Sequence, residues 1–209
     1  MESLLDKYSP WSELSDCKKA SSATVSSRLG FIPLEAWENE TPVLDAIIRE
    51  TTRLAQPHVA MRRNLGPDLV INNKVIPTDS YVIYPFSDVH LDPEIYLDPW
   101  RFDPSRKETN PAKLEYVGWG GGKKLPQSAN ADFLCSGNIG RTTCLGTRLA
   151  KVELKLVTAM FVLSFLHSVV DPSGAPMTNL PRPNWNDFLL CRPAANSFYL
   201  KYKRTGVTI

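Results

Sequence analysis

The chain has 209 residues, 43% of them hydrophobic and 22% charged, with a formal net charge of +2. That length buries a core without disulfide or metal staples, and the balanced charge excludes both the basic excess of a nucleic-acid binder and a long charged tail. Its 17 prolines, about 8% against a usual value of roughly 5%, exclude a helical bundle or coiled coil, because an interior proline breaks a helix.

In chain order, residues 1–28 come first. Six serines between positions 11 and 28 and the lack of apolar period there read as a disordered linker. Order is expected to begin near Leu29, in one domain over 29–209. Met1–Trp11 has no basic run followed by an apolar one, so it is not read as a signal peptide. Thr41-Pro42 marks a helix start, a threonine cap with proline at the first helical position. Val43, Leu44, Ile47, Ile48, Thr51, Leu54 and Ala55 then recur at helical spacing, and Pro57 is expected to stop the helix.

From Asp68 the period changes. Leu69–Ile71 and Lys74–Pro77, joined by Asn72-Asn73, predict a hairpin, and Ser80–Tyr84 a third short strand. Residues 85–115, rich in Pro and Asp with aromatic residues between, predict packed coil. A Gly-rich run, Gly118–Gly122, follows. Residues 147–167 predict a second helix with Leu149, Val152, Leu156, Ala159, Met160 and Leu163 on one face. Its most apolar part, Leu156–Leu166, is far shorter than the roughly 20 residues that span a bilayer, so no membrane anchor is expected in this chain. Phe188–Cys191 and Phe198–Tyr202 predict a C-terminal hairpin.

Two features carry chemistry. Glu50 and Arg53, three apart on the first helix, share a face. They make either a solvated pair of little worth or part of a buried ionic group. Cys144 lies directly before the helix at 147, where the helix dipole favours a thiolate. It is either a nucleophile or metal ligand, or a small buried hydrophobe. The four cysteines (Cys17, Cys135, Cys144, Cys191) contain no CxxC pair, which speaks against structural zinc and a disulfide framework. A cysteine nucleophile would have only His58, His90 and His167 as bases.

Taken in order, these features resemble the C-terminal part of a cytochrome P450, from about Pro33 to Lys203. Glu50–Arg53 (ETTR) matches the family's Glu-x-x-Arg helix. Asp92–Arg106 (DPEIYLDPWRFDPSR) resembles its Pro-x-Arg segment, and Cys144-Leu145-Gly146 with Ala150 its cysteine motif. The resemblance implies a mainly helical α+β fold with small β-sheets. It also implies a charge triad of Glu50, Arg53 and Arg106. Cys144 would be the axial ligand of the iron in haem b (iron protoporphyrin IX), with Gly146 letting the backbone pass close to the porphyrin. Arg63, or its competitor Arg62, would meet a haem propionate.

The pattern departs in two places. Lys107 replaces the usual aromatic after Arg106. The family places an aromatic seven residues and a glycine four residues before the cysteine, where this chain has Gly137 and Gly140. Removing Lys123–Gly140 joins Gly122 to Arg141 and restores the pattern as WGGGRTTCLG, with Trp119 as the aromatic. That segment is either an intron translated in frame or a genuine loop insertion.

The implied activity is that of a haem-thiolate monooxygenase, which inserts one oxygen atom of O2 into a small organic substrate. An NADPH-dependent reductase is the implied electron donor, and the endoplasmic reticulum membrane the implied location of intact fungal relatives. No oxygen-activation helix with an acid–Thr pair precedes Glu50, so this truncated chain is expected to be inactive alone. The rivals are a non-catalytic truncated product and a cysteine-nucleophile enzyme.

Overall fold

The computed structural model describes residues 1–8, 25–56, 58–106, 116–119, 144–179, 181–187 and 190–204. The expected insertion at 123–140, Pro57 and Lys107 lie outside the described residues. In chain order the helices are α1 (Glu2–Tyr8), α2 (Val25–Leu29), α3 (Leu34–Asn39), α4 (Pro42–Leu54), α5 (Phe86–His90) and α6 (Thr147–Ser164). The strands are β1 (Val59–Arg63), β2 (Leu69–Ile71), β3 (Lys74–Ile76), β4 (Tyr81–Pro85), β5 (Phe165–Val170) and β6 (Tyr199–Arg204). They form three separate antiparallel pairs, β1–β4, β2–β3 and β5–β6. The chain divides into two compact units.

The first unit comprises Met1–Ile48, Arg148–Arg182 and Pro193–Ile209. Its core joins Leu4 and Leu5 of α1 to Leu29, Ile32, Ala36, Trp37 and Leu44, with Ala159 and Leu163 of α6. The expected linker therefore differs at both ends, which are helical. Leu4 and Leu5, with Met1 and Tyr8 packed beside them, give a short helix an apolar side to bury. Residues 9–24 lie outside the described residues.

Helix α6 is shorter than expected, and its inward face keeps Ala159 and Leu163 but leaves Leu149 and Met160 outside. Its buried stripe is Lys155, Ala159 and Leu163, spaced four apart. Val152 and Leu156 are half-buried, whereas Leu149 is 65% exposed and Met160 is exposed as well. A lysine can hold this inward position because its ammonium donates to the Trp37 carbonyl at 2.8 Å and to Asp45 Oδ2 at 2.7 Å. The helix stops at Ser164, and Phe165–Val170 runs on directly as β5.

The partner of β5 is β6, with Phe165 opposite Arg204 and Val170 opposite Tyr199. The strand expected at 198–202 thus forms, as β6, but it pairs with β5 rather than with 188–191. Phe188 and Leu189 lie outside the described residues, and Cys191 has a φ of 49°, which a strand does not tolerate. Its amide donates to Asp187 O at 2.8 Å, closing a turn.

The second unit comprises Arg49–Thr147 and Pro183–Arg192. The β2–β3 hairpin forms as the sequence predicts, with Asn72 and Asn73 both at positive φ, 49° and 61°, as a two-residue hairpin turn requires. Strand β4 pairs with β1, a strand that the sequence pattern hides. Asn64, 1% exposed, joins the two ribbons: its Nδ2 donates to the carbonyls of Pro67, Ile76 and Pro77, and its Oδ1 accepts from Gly66 N–H. The coil expected over 85–115 begins with the short helix α5 and continues as turns to Arg106. Phe86, Val89 and Val117 form the small apolar core of this unit.

Leu5 is 1% exposed, so Leu5→Ala is expected to destabilise the chain by about 2–5 kcal/mol. Urea unfolding of the two chains checks this. An unchanged midpoint would show that α1 contributes nothing to the core.

Candidate functional site

Helix α4 changes character along its length. Its first half buries Leu44 and Ile48; its last turns bury Glu50 and Arg53, only 4% and 2% exposed. The solvated reading of this pair is thereby corrected. Arg53 grips Glu50 with two parallel bonds, Nε to Oε2 at 2.8 Å and Nη2 to Oε1 at 2.7 Å. Arg106 Nε reaches Oε1 at 3.3 Å, and Asp103 N–H donates to the same oxygen at 3.0 Å. The structure thus brings Glu50, Arg53 and Arg106 together. Burial opposes the Glu50 charge, but the donors from Arg53 and Asp103 and the two cationic fields outweigh it and hold its carboxyl below the ordinary value.

The remaining guanidinium donors organise the proline-rich coil. Arg53 donates to the carbonyls of His90, Pro99 and Arg101, and its guanidinium lies 4.8 Å from the centre of the Tyr96 ring. Arg106 donates to those of Leu97, Asp98 and Arg101.

Cys144 is an exposed free thiol, not a buried hydrophobe. Its amide donates to the Trp119 carbonyl at 2.8 Å, although 24 residues separate the two in sequence. Its carbonyl accepts from Thr147 N–H at 3.1 Å and from the Thr147 hydroxyl at 2.7 Å, which sets the residue just ahead of α6. Gly146 follows in the same turn; a Cβ there would lie 4.0 Å from the Cys144 sulfur.

Arg63 pairs with Asp79 at 3.2 Å, both side chains well exposed, so little stability rests on that bond. Arg62 turns back on its own strand, donating to Met61 O at 2.7 Å. Alternation along β1 and β4 puts Val59, Met61 and Arg63 on one face, opposite Pro85, Ile83 and Tyr81. Val59, Met61, Tyr81 and Ile83 are all more than half exposed, so this face is an apolar stripe ending on an arginine.

Two residues of this unit escape motif reading, His90 and Gln56. His90 is fully buried, and its Nε2 accepts the Val117 N–H at 3.0 Å. The imidazole is therefore neutral with its proton on Nδ1, and its ring stacks on Tyr116. Gln56 donates to the Gly118 carbonyl at 3.1 Å. Neither lies at a recognisable spacing; a lone histidine and a lone glutamine carry no pattern. Because His90 Nε2 is already engaged, it is not a base for an exposed thiol. Among the described residues no group of three His, Cys, Asp or Glu is placed to hold a metal ion, and no helix is long and apolar enough to cross a membrane.

A family model described as Cytochrome P450 matches residues 35–193. The chain belongs to the cytochrome P450 family. It is 30% identical over 168 residues to the cytochrome P450 monooxygenase AacuE of Aspergillus aculeatus, which covers 77% of this chain and 30% of that protein. It is 29% identical over 193 residues to the monooxygenase nsrP of Aspergillus novofumigatus, covering 84% of this chain and 34% of that one. Among solved structures, retinoic acid-bound cyanobacterial CYP120A1 matches 97% of this chain and 40% of its own length, with a TM-score of 0.58 at 22% identity. The mixed α+β architecture is thus that of the cytochrome P450 fold. The chain spans about a third of the length of these two fungal P450 relatives.

Two outcomes follow from the buried charges. Removing one partner strands the Glu50 charge, so Arg53→Ala is expected to cost roughly 3–5 kcal/mol, measured by denaturant unfolding; a loss under about 1 kcal/mol, the scale of an exposed pair, would contradict burial of the clamp. Burial, then the Arg53 and Arg49 charges, push the His90 pKa down from 6.5 to about 4, against the opposing pull of Glu50 and of its own contact with Arg53. The unfolded chain therefore takes up the proton first as pH falls. The contribution is complete above about pH 6.5 and fades towards pH 4, reaching on the order of 3 kcal/mol. Unfolding free energies at pH 7 and pH 4.5, compared with His90→Gln, measure it; an equal pH dependence in the two chains is the contrary result.

Proposed function

We propose that these residues form the ligand-bearing part of a haem-thiolate monooxygenase of fungal type, with Cys144 as the axial ligand of haem b. The observation that carries this reading is the exposed Cys144 thiol, its amide tied to Trp119 O at 2.8 Å. The residues fit the group. A soft sulfur donor is presented to solvent, while Gly146 keeps the turn beside it free of side-chain bulk. The β1–β4 ribbon offers an exposed apolar stripe for a flat hydrocarbon ring, and Arg63 at its end a cation for a carboxylate.

When bound, thiolate-ligated haem supplies oxygen activation, by which one atom of O2 enters an organic substrate. The chain's own residues do the holding. Cys144 provides the thiolate. Its backbone is fixed at both ends, by Trp119 O and by Thr147. Glu50, Arg53 and Arg106 keep the preceding coil in place. With residues 123–140 set aside, Trp119 takes the family's aromatic position ahead of Cys144. A small organic substrate and electrons from an NADPH-dependent reductase complete the reading, with the intact protein at the endoplasmic reticulum membrane. On this reading the 209 residues alone bind haem but do not turn substrate over.

Haem reconstitution of the 209-residue chain, followed by a ferrous carbon monoxide spectrum, tests this. The red-shifted band of thiolate ligation is expected in the parent chain and absent in Cys144→Ser. No such band in the parent, or the same band in Cys144→Ser, removes Cys144 as the ligand. Oxygenated product from the parent chain alone would refute the claim that it does not turn over.

A further inference from the structure

Two side chains outside the ionic clamp grip one short piece of backbone. His90 Nε2 accepts the Val117 N–H at 3.0 Å, and Gln56 Nε2 donates to the Gly118 carbonyl at 3.1 Å. The next residue, Trp119, offers its carbonyl to Cys144 N–H at 2.8 Å. Three consecutive residues are thus held in turn by an acceptor, a donor and the cysteine itself. The grip is anchored behind as well: the His90 carbonyl accepts from Arg53 Nη1 at 2.7 Å.

The segment is pressed close to its neighbours. A Cβ on Gly118 would stand 2.2 Å from the Tyr116 hydroxyl and 2.9 Å from the Thr52 methyl. Slippage of 116–119 by one residue would force a side chain into that space. Both gripping residues are buried, Gln56 at 8% exposure and His90 at 0%. Each keeps its other polar atom, Gln56 Oε1 and His90 Nδ1, without a hydrogen-bond partner among the described residues. Burying such atoms unbonded is unfavourable. Apolar side chains of similar size would fill the same volume without that cost, so packing alone does not account for the pair.

We propose that Gln56 and His90 are positioning residues: together they set the register of Val117–Trp119 and, through the Trp119 carbonyl, the place of Cys144. The part concerning haem rests on Cys144 being its ligand. The part concerning the backbone does not. Neither side chain is the hydrogen-bond partner of the Cys144 amide, which donates to Trp119 O, so the expected route to that amide is the gripped segment.

Residue-resolved hydrogen exchange on the metal-free 209-residue chain tests the proposal, with Gln56→Leu, His90→Phe and His90→Gln as variants. His90→Phe keeps a ring against Tyr116 but removes the acceptor; His90→Gln restores one. Exchange at the Cys144 amide is expected to quicken roughly 3- to 10-fold in Gln56→Leu and His90→Phe, the scale of one lost hydrogen bond. It should return towards the parent rate in His90→Gln, with the Ala159 amide unchanged throughout. Parent-like exchange at Cys144 in folded Gln56→Leu overturns the proposal, even if His90→Phe fails to fold. So does equal exchange in His90→Phe and His90→Gln when both fold. Haem titration of Gln56→Leu is the second arm, with a roughly 3- to 10-fold loss of affinity expected. Unchanged affinity there, beside quickened exchange, confines the positioning role to the backbone. If Cys144→Ser keeps the parent spectrum, the ligand reading fails while the exchange result stands.

Discussion

One buried carboxylate, Glu50, is the constraint on which the second unit depends. Its charge is tolerable only because Arg53 covers it with a two-pronged contact and because Arg106 and the Asp103 amide take up the remaining face. The consequence reaches beyond the pair. With the carboxylate satisfied, each guanidinium still has donors to spare, and these point at carbonyls. The coil from His90 to Arg106 has no strand ladder, and Pro93, Pro99 and Pro104 could not donate to one. Arginine N–H groups stand in for that ladder at His90, Leu97, Asp98, Pro99 and Arg101. The proline excess that first set this sequence apart therefore has a structural counterpart. A proline-rich coil needs donors from elsewhere, and a clamped glutamate holds two arginines where they supply them.

From that clamp a series of hydrogen bonds, joined through the chain between them, leads to the Cys144 amide. It passes from Arg53 to the His90 carbonyl, from the His90 ring to Val117, and from Trp119 to Cys144. The need for a base separates two readings of Cys144. A nucleophile needs a base beside it, and His90 and His167 each have a ring nitrogen engaged elsewhere. His90 is buried with Nε2 engaged, while His167 Nδ1 lies 3.2 Å from its own neighbour's Phe165 carbonyl. A metal ligand needs no base. It needs an accessible sulfur, and the Cys144 thiol is exposed.

Local signals in the sequence were readable because their physics is local. Asn72-Asn73 tolerate positive φ and make a hairpin turn wherever they stand between strands. Pro42 presets the first helical residue, although the Thr41 hydroxyl donates back to Trp37 O at 2.8 Å rather than serving the helix that follows it. Glu50 and Arg53 were readable as a pair from their spacing, but their burial was not. Burial depends on Asp103 and Arg106, more than 50 residues away. The pairing of β5 with β6 is hidden for the same reason, since 28 residues lie between them. Leu4, Leu5 and Tyr8 show how three hydrophobic residues in seven suffice for a helix once a core exists to receive them. His90 and Gln56 mark the limit of motif reading: each acts through one hydrogen bond to backbone, and backbone bonds leave no residue pattern.

The β1–β4 ribbon adds an argument that motif order alone does not supply. A soluble surface usually avoids a contiguous apolar stripe, because leaving apolar surface in water is unfavourable. Here Val59, Met61, Ile83 and Tyr81 lie on one ribbon face and remain exposed, while the residues between them are half-buried on the other side. The alternation is therefore inverted relative to a ribbon that packs its apolar face inward: Arg62 is half-buried, and Met61 is not. Register is fixed by the β1–β4 ladder and by Asn64 at its end, so a one-residue slip cannot repair this. A flat apolar ligand with a carboxylate edge would cover the stripe and meet Arg63 at the same time. The polar, weakly held Arg63–Asp79 pair is a contact such a carboxylate can replace, because an exposed ion pair costs little to open. The same chain that buries a glutamate to hold its coil thus leaves hydrocarbon in water on one face, which the proposed haem site would cover.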